Sequence, residues 1–95
     1  MIRAIHFSDR DTWLKAEVPG SFSLSGNGGG KYGFWYYCPC GCGIRARILV
    51  GDGFKPPKGT SWNWNGSLSE PTLNPSINHV GHWHGWLRDG YWEVC

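Results

Sequence analysis

Three cysteines stand within five residues, Cys38-Pro39-Cys40-Gly41-Cys42, and Gly43 follows them. Disulfides between such near neighbours are strained, because bridged Cα atoms sit ~4.4–6.8 Å apart with a demanding torsion. No secretory leader opens the chain, so a reducing, cytoplasmic setting is expected, and clustered thiols there read as metal ligands. A staple matters at this size. A chain of 95 residues reads as one domain over 1–95. Such a domain buries only ~60–70% of its unfolded surface.

The rest of the composition narrows the fold. Fifteen glycines and six prolines disfavour long helices and favour short strands with many turns. Seven Trp and four Tyr supply the buriable surface that a modest aliphatic content lacks. The net charge of +2 demands neither nucleic acid nor a membrane surface. No apolar run approaches the ~20 residues of a membrane span. The expectation is a mainly β domain, a small antiparallel sheet of short strands and hairpins stapled by one zinc site.

Along the chain, residues 1–7 read as a short strand, and Ser8-Asp9-Arg10-Asp11 as a polar break able to cap one helical turn. Leu14, Ala16 and Val18 alternate with Trp13, Lys15 and Glu17, a strand pattern with Ser21–Ser25 as its hairpin partner. The run Gly26–Gly30 reads as a mobile loop, since no Gly-Lys-Ser/Thr follows to make a phosphate cradle. Phe34–Tyr37 is an aromatic strand leading into the cysteines, and Ile44–Val50 is a strand leading out of them. Residues 51–60 read as a loop, Trp62–Trp64 as a strand before an Asn-Gly turn, and Thr72–Asn74 as an extended stretch between prolines. Asp89-Gly90 between two aromatic runs is a hairpin signal.

Strand, cysteine turn, strand is the layout of a zinc hairpin. Three residues separate Cys38 from Cys42, inside the usual two to four of a zinc pair, and Gly43 suits a tight knuckle. His82 and His84 are two apart in an expected strand, so both imidazoles face one way with Trp86. Thiolates with imidazoles select a soft to borderline ion, for which zinc is the default. Cys38, Cys42 and His84 rank first as ligands, and Cys40 and His82 compete for the fourth position. His79 is a weaker alternative, Cys95 joins only if the last hairpin brings it back, and His6 reads as an ordinary strand histidine. Most of the Trp rings are expected in the core, and Arg45 and Arg47 on a solvated face.

Several stretches follow one order: Cys38 to Gly43, Trp62-Asn63-Trp64-Asn65-Gly66, Glu70-Pro71-Thr72-Leu73-Asn74-Pro75-Ser76-Ile77, and His84-Gly85-Trp86-Leu87-Arg88-Asp89-Gly90. That order, over Phe34 to Trp92, resembles a family of uncharacterised small proteins of tailed phages, prophages and bacteria. The resemblance implies zinc binding. Relatives commonly place a cysteine shortly before the histidine matching His84, where this chain reads Gly81-His82-Trp83, so His82 becomes the replacement ligand. Some relatives sit in bacterial operons with ubiquitin-like conjugation components, others among phage accessory genes. An oxygenase label carried by some finds no two-His, one-carboxylate set here.

The function expected on these grounds is a structural-zinc β protein of phage-accessory type that acts by binding a host protein. Two alternatives stand beside it: a zinc-knuckle binder of single-stranded nucleic acid, with Trp and Arg gripping the strand, and a zinc hydrolase. For the hydrolase, Glu93, Asp89 and Glu70 are candidate acids or bases, none in a recognised catalytic spacing. The balance of these readings leans away from an enzyme.

Overall fold

The computed structural model describes residues 2–57, 59–79 and 81–94, apart from the side chains of Asn27 and His79. The strands are β1 (Ile2–Arg3), β2 (Phe22–Gly28), β3 (Lys31–Tyr37), β4 (Arg45–Asp52), β5 (Trp62–Trp64), β6 (Leu73–His79), β7 (Trp83–Arg88) and β8 (Tyr91–Val94). They form one sheet in the order β1-β8-β7-β6-β5-β4-β3-β2. Every pairing is antiparallel except β4 with β5. The mainly β expectation is met.

The first residues close the sheet on itself. On one side, Ile2 and Arg3 pair with Trp92 and Tyr91 of β8, and the Ala4 amide donates to the Gly90 carbonyl at 2.8 Å. On the other side, the Phe22 amide donates to the Ile5 carbonyl and the Phe7 amide to the Phe22 carbonyl, both at 2.9 Å. One short segment therefore touches both ends of the strand order, and the sheet curls around a core. Backbone groups at a sheet edge invite foreign pairing, and this closure covers the β2 and β8 edges there.

Inside the curl lie Phe22, Phe34, Tyr36, Val50, Trp64, Leu73, Ile77, Leu87 and Trp92. Phe22 and Phe34 stack at 4.6 Å, and Trp83 meets Trp92 edge-on at 5.4 Å, both favourable ring geometries. The Trp92 indole N–H donates to the Gly20 carbonyl at 2.8 Å, so its buried polar atom is satisfied. The β7–β8 hairpin turns on Asp89 (φ 49°) and Gly90 (φ 84°). Two successive left-handed residues make the turn that an Asp-Gly pair favours between twisted strands.

The stretch 12–18 departs from expectation. Residues Arg10–Ala16 form the one helix among the described residues, α1, not a strand. Asp9 caps it: its carboxylate accepts the Thr12 amide at 3.1 Å and the Thr12 hydroxyl at 2.6 Å. A capped turn that buries one large side chain, Trp13, outweighs a two-residue alternation whose apolar members Leu14, Ala16 and Val18 stay half-buried or exposed. Residues 22–25 accordingly pair with β3 rather than with 12–18. The glycine run is also more ordered than expected of a loop, since β2 continues through a bulge to Gly28 before the Gly29-Gly30 turn. The α1 face covers the outer side of β3: Trp13 packs on Tyr37 at 4.7 Å, and the Tyr37 hydroxyl donates to the Leu14 carbonyl at 2.8 Å.

Candidate functional site

The cysteine turn joins β3 to β4. Tyr37 pairs with Arg45 at the last rung, the Cys38 amide donates to the Ile44 carbonyl at 2.9 Å, and the Gly41 amide donates back to the Cys38 carbonyl at 3.1 Å. Gly41 (φ 85°) and Gly43 (φ 80°) take the left-handed conformations that fold the chain around its sulfurs. Cys38 is buried, while Cys40 and Cys42 are exposed. The Cys38 thiol donates to the Cys40 sulfur at 3.2 Å, and the three Sγ atoms all lie within 4.8 Å of one another. Tetrahedral thiolates at ~2.3 Å from zinc sit about 3.8 Å apart, so the spacing fits a metal ion. Burial pushes the Cys38 thiol up to about 12, whereas hydrogen bonds from the Cys38 and Cys42 thiols hold Cys40 below the ordinary value.

The histidines expected to complete that shell lie elsewhere. Among the described residues, the group able to hold a metal contains Cys38, Cys40 and Cys42, and neither His82 nor His84 belongs to it. The register explains why. Both histidines sit at the β6–β7 hairpin, His82 in its turn and His84 opposite Asn78, and three strands of the sheet separate β7 from β3. Cys95 and the side chain of His79 lie outside the described residues. His6 bridges to Phe22 and packs on its ring at 5.2 Å, half-buried, and burial lowers its pKa.

What surrounds His84 is a second cluster. Ile77 and Leu87 are buried, so alternation puts Asn78 of β6, and His84 and Trp86 of β7, on the outer face, and places Ser76, partly exposed beside buried Ile77 where the β6 register shifts, toward that same face. Asn78 is directly opposite His84 and Ile77 opposite Gly85, which leaves Ser76, at the edge of the register shift between Leu73 and Ile77, about one diagonal step from His84. Such diagonal neighbours have backbones ~7–8 Å apart, within reach of a long or aromatic side chain. Glu93 of β8 pairs with Trp86 and lies one diagonal step on the other side. Its carboxylate is 3.6 Å from the Arg88 guanidinium, which stacks over the Trp86 ring at 4.5 Å. The Trp62 indole donates to the Ser76 carbonyl at 3.2 Å.

Among the described residues, Ser76 combines partial exposure with a histidine on the paired strand, while Ser69, exposed, lines a pocket with His6. Ser21 and Ser61 are buried with their hydroxyls donated to backbone carbonyls, and Ser23 is buried as well. Ser61 does have Lys55 Nζ at 3.3 Å, but at 2% exposure it is closed to a substrate. Ser25 accepts the Trp35 indole N–H, and Ser67 caps the Glu70 amide. Sequence reasoning assigned Ser76 no role. The available signal was its place in Pro75-Ser76-Ile77, eight residues before a histidine in a chain whose strands form hairpins.

The family model described as "Bacterial ubiquitination-like system serine protease (BubE)" matches residues 8–95. No curated protein and no solved structure matches the chain. The match corrects the expected function. The accessory protein that binds a host partner through a structural-zinc fold, the nucleic-acid binder and the zinc hydrolase all give way to a family named for a serine protease, and the leaning away from an enzyme is corrected in direction. The accessory reading leaned on a closed shell of four protein ligands, and only three come together among the described residues. The nucleic-acid reading needed exposed Trp rings, yet Trp13, Trp64 and Trp92 are buried and no Trp is fully exposed. The resemblance in motif order is met at the level of a bacterial family, and the chain belongs to that of the bacterial ubiquitination-like system serine proteases.

Proposed function

We propose that the chain is a serine-type peptidase, with Ser76 as nucleophile and His84 as general base, acting in a bacterial ubiquitination-like system. The observation that carries this reading is the shared outer face of Ser76 and His84 on adjacent strands, in a chain whose family is named for such chemistry. Ser76 Oγ attacks the scissile carbonyl while His84 takes its proton. The imidazolium then gives that proton to the departing group, leaving an acyl-serine. Water, deprotonated by His84, releases the acid and restores the hydroxyl. Glu93 is placed to steady the imidazolium from the opposite diagonal, in competition with Arg88. A protein is the expected substrate partner.

Cys38, Cys40 and Cys42 would hold zinc in this reading, and the bound ion would fix the β3–β4 turn. The place of work in this reading is the bacterial cytoplasm, where thiols are kept reduced and able to bind metal. Among the described residues, no helix is long and apolar enough to cross a membrane.

A fluorophosphonate probe tests the nucleophile. Mass spectrometry of the labelled wild-type protein should find the adduct on Ser76, and Ser76→Ala should take no label. An adduct on another serine, or none, removes Ser76 from the role.

A further inference from the structure

β5 is only three residues long, and it lies between two longer strands. Its pairing with β4 reaches Val50 and Asp52, and its pairing with β6 reaches Asn74 and Leu73. Beyond the start of β5, the chain over the described residues 55–57 and 59–61 joins no ladder. Arg45–Leu49 of β4 and Ser76–His79 of β6 therefore flank a strand position that no strand of the described residues fills. No Cα of β4 comes within 8 Å of a Cα of β6, so the two strands do not pair with each other there, and a strand between them would need about twice 4.7–4.9 Å. The Trp62 indole reaches the Ser76 carbonyl from this side, doing with a side chain what a neighbouring backbone amide would do.

Resting on the peptidase reading, we propose that this slot binds the substrate as an added β-strand, an extended peptide with acidic and apolar side chains in alternation. Ser76 is on the slot's edge, so a strand laid there runs past the nucleophile. Main-chain pairing would supply affinity and alternate side chains specificity. The inner side of the slot presents Ala46, Ile48 and Trp62, all only partly buried against the core, which suits apolar side chains. The outer rim carries Arg45 and Arg47, exposed and, among the described residues, without a carboxylate within 4.0 Å. Arg47 lies back across Gly33, where an added Cβ would meet its Nε at 2.6 Å. Two guanidinium groups with no carboxylate partner among the described residues favour carboxylates on the peptide's outward positions.

The probe is a blocked seven-residue peptide of alternating Glu and Val, titrated into the full-length Ser76→Ala protein and followed by amide NMR. The expected result is shifts at Arg45, Arg47, Leu49, Ser76 and Asn78. A strand held on both edges uses both alternating sets of its amides, so N-methylating either set should abolish binding. Arg45→Glu together with Arg47→Glu should weaken binding about three- to tenfold. No binding, shifts confined to Trp35 and α1, or tolerance of one N-methylated set would overturn the inference. The fluorophosphonate label reports separately. Slot shifts with Ser76 unlabelled support the slot and remove the peptidase reading, whereas a labelled Ser76 without slot shifts does the reverse.

Discussion

The cysteine turn and the Ser76–His84 face differ in how the chain builds them. All three thiols come from five consecutive residues, and two glycine turns suffice to gather them. Ser76 and His84 come from two strands, and only the β6–β7 register puts them on one face. Shifting that register by one residue would send one partner to the core. The turn is therefore a local device, tied to stability, and the face is a product of the whole sheet. Removing a group from the turn should damage the fold. Removing a group from the face should leave the fold and cost chemistry.

The largest expected effect is on the face. Ser76→Ala should lower peptidase turnover on the order of 10⁴-fold or more, with the melt unchanged within about 1 kcal/mol. His84→Ala should behave alike and keep its metal, by elemental analysis of the purified protein. This outcome breaks the comparison if it fails: loss of both metal and fold in His84→Ala would return that residue to the cysteine shell.

Cys38→Ser should come next, and in the opposite sense. It removes a fully buried thiol that is also a proposed ligand, so the melt should fall by several kcal/mol with release of metal. Chelation of the wild-type protein should mimic it. The effect should stay below the ~10–16 kcal/mol of isolated zinc fingers, because the curled sheet has its own core. Metal-free protein with an unchanged melting curve would show the turn to be idle.

Trp92→Phe sharpens the comparison from between the two regions. The indole touches Tyr36 at 5.2 Å, on the strand that feeds the cysteines, and Trp83 at 5.4 Å, on the strand that carries His84. Its N–H serves a buried carbonyl of Gly20. The substitution leaves that carbonyl unpaired and should cost about 1–3 kcal/mol. Stopped-flow activity per folded molecule should hold, since neither region loses a functional atom.

Legibility followed the same division. Sequence spacing read the β class, the cysteine turn between two strands and the Asp89-Gly90 hairpin, because each depends on neighbours in the chain. It misread 12–18, where Asp9 capping and the burial of Trp13 overrode an alternating pattern. It drew His82 and His84 toward the cysteines because two histidines at even spacing share a face. No spacing says which strands lie between that face and β3. Ser76 went unassigned for the same reason: a serine beside a proline has no local mark of a nucleophile, and its partner arrives only through the hairpin register.

The smallest effect separates the two histidines that matter. His6 is half-buried against Phe22, and desolvation lowers its pKa from the ordinary 6.5. The unfolded chain then binds the proton more readily than the folded one. Stability from this source is present above the ordinary value and is lost as pH falls through the lowered one. Thermal melts should therefore decline modestly on going from pH 7.5 toward 5, and His6→Gln should flatten that decline. A general base works only unprotonated, so activity has an acid limit of its own. The two losses part in the variant: His6→Gln should keep the acid limb of the activity profile while losing the acid limb of the melt. An activity profile that flattens together with the melt would show that acid acts on the closure of the sheet and not on the catalytic face.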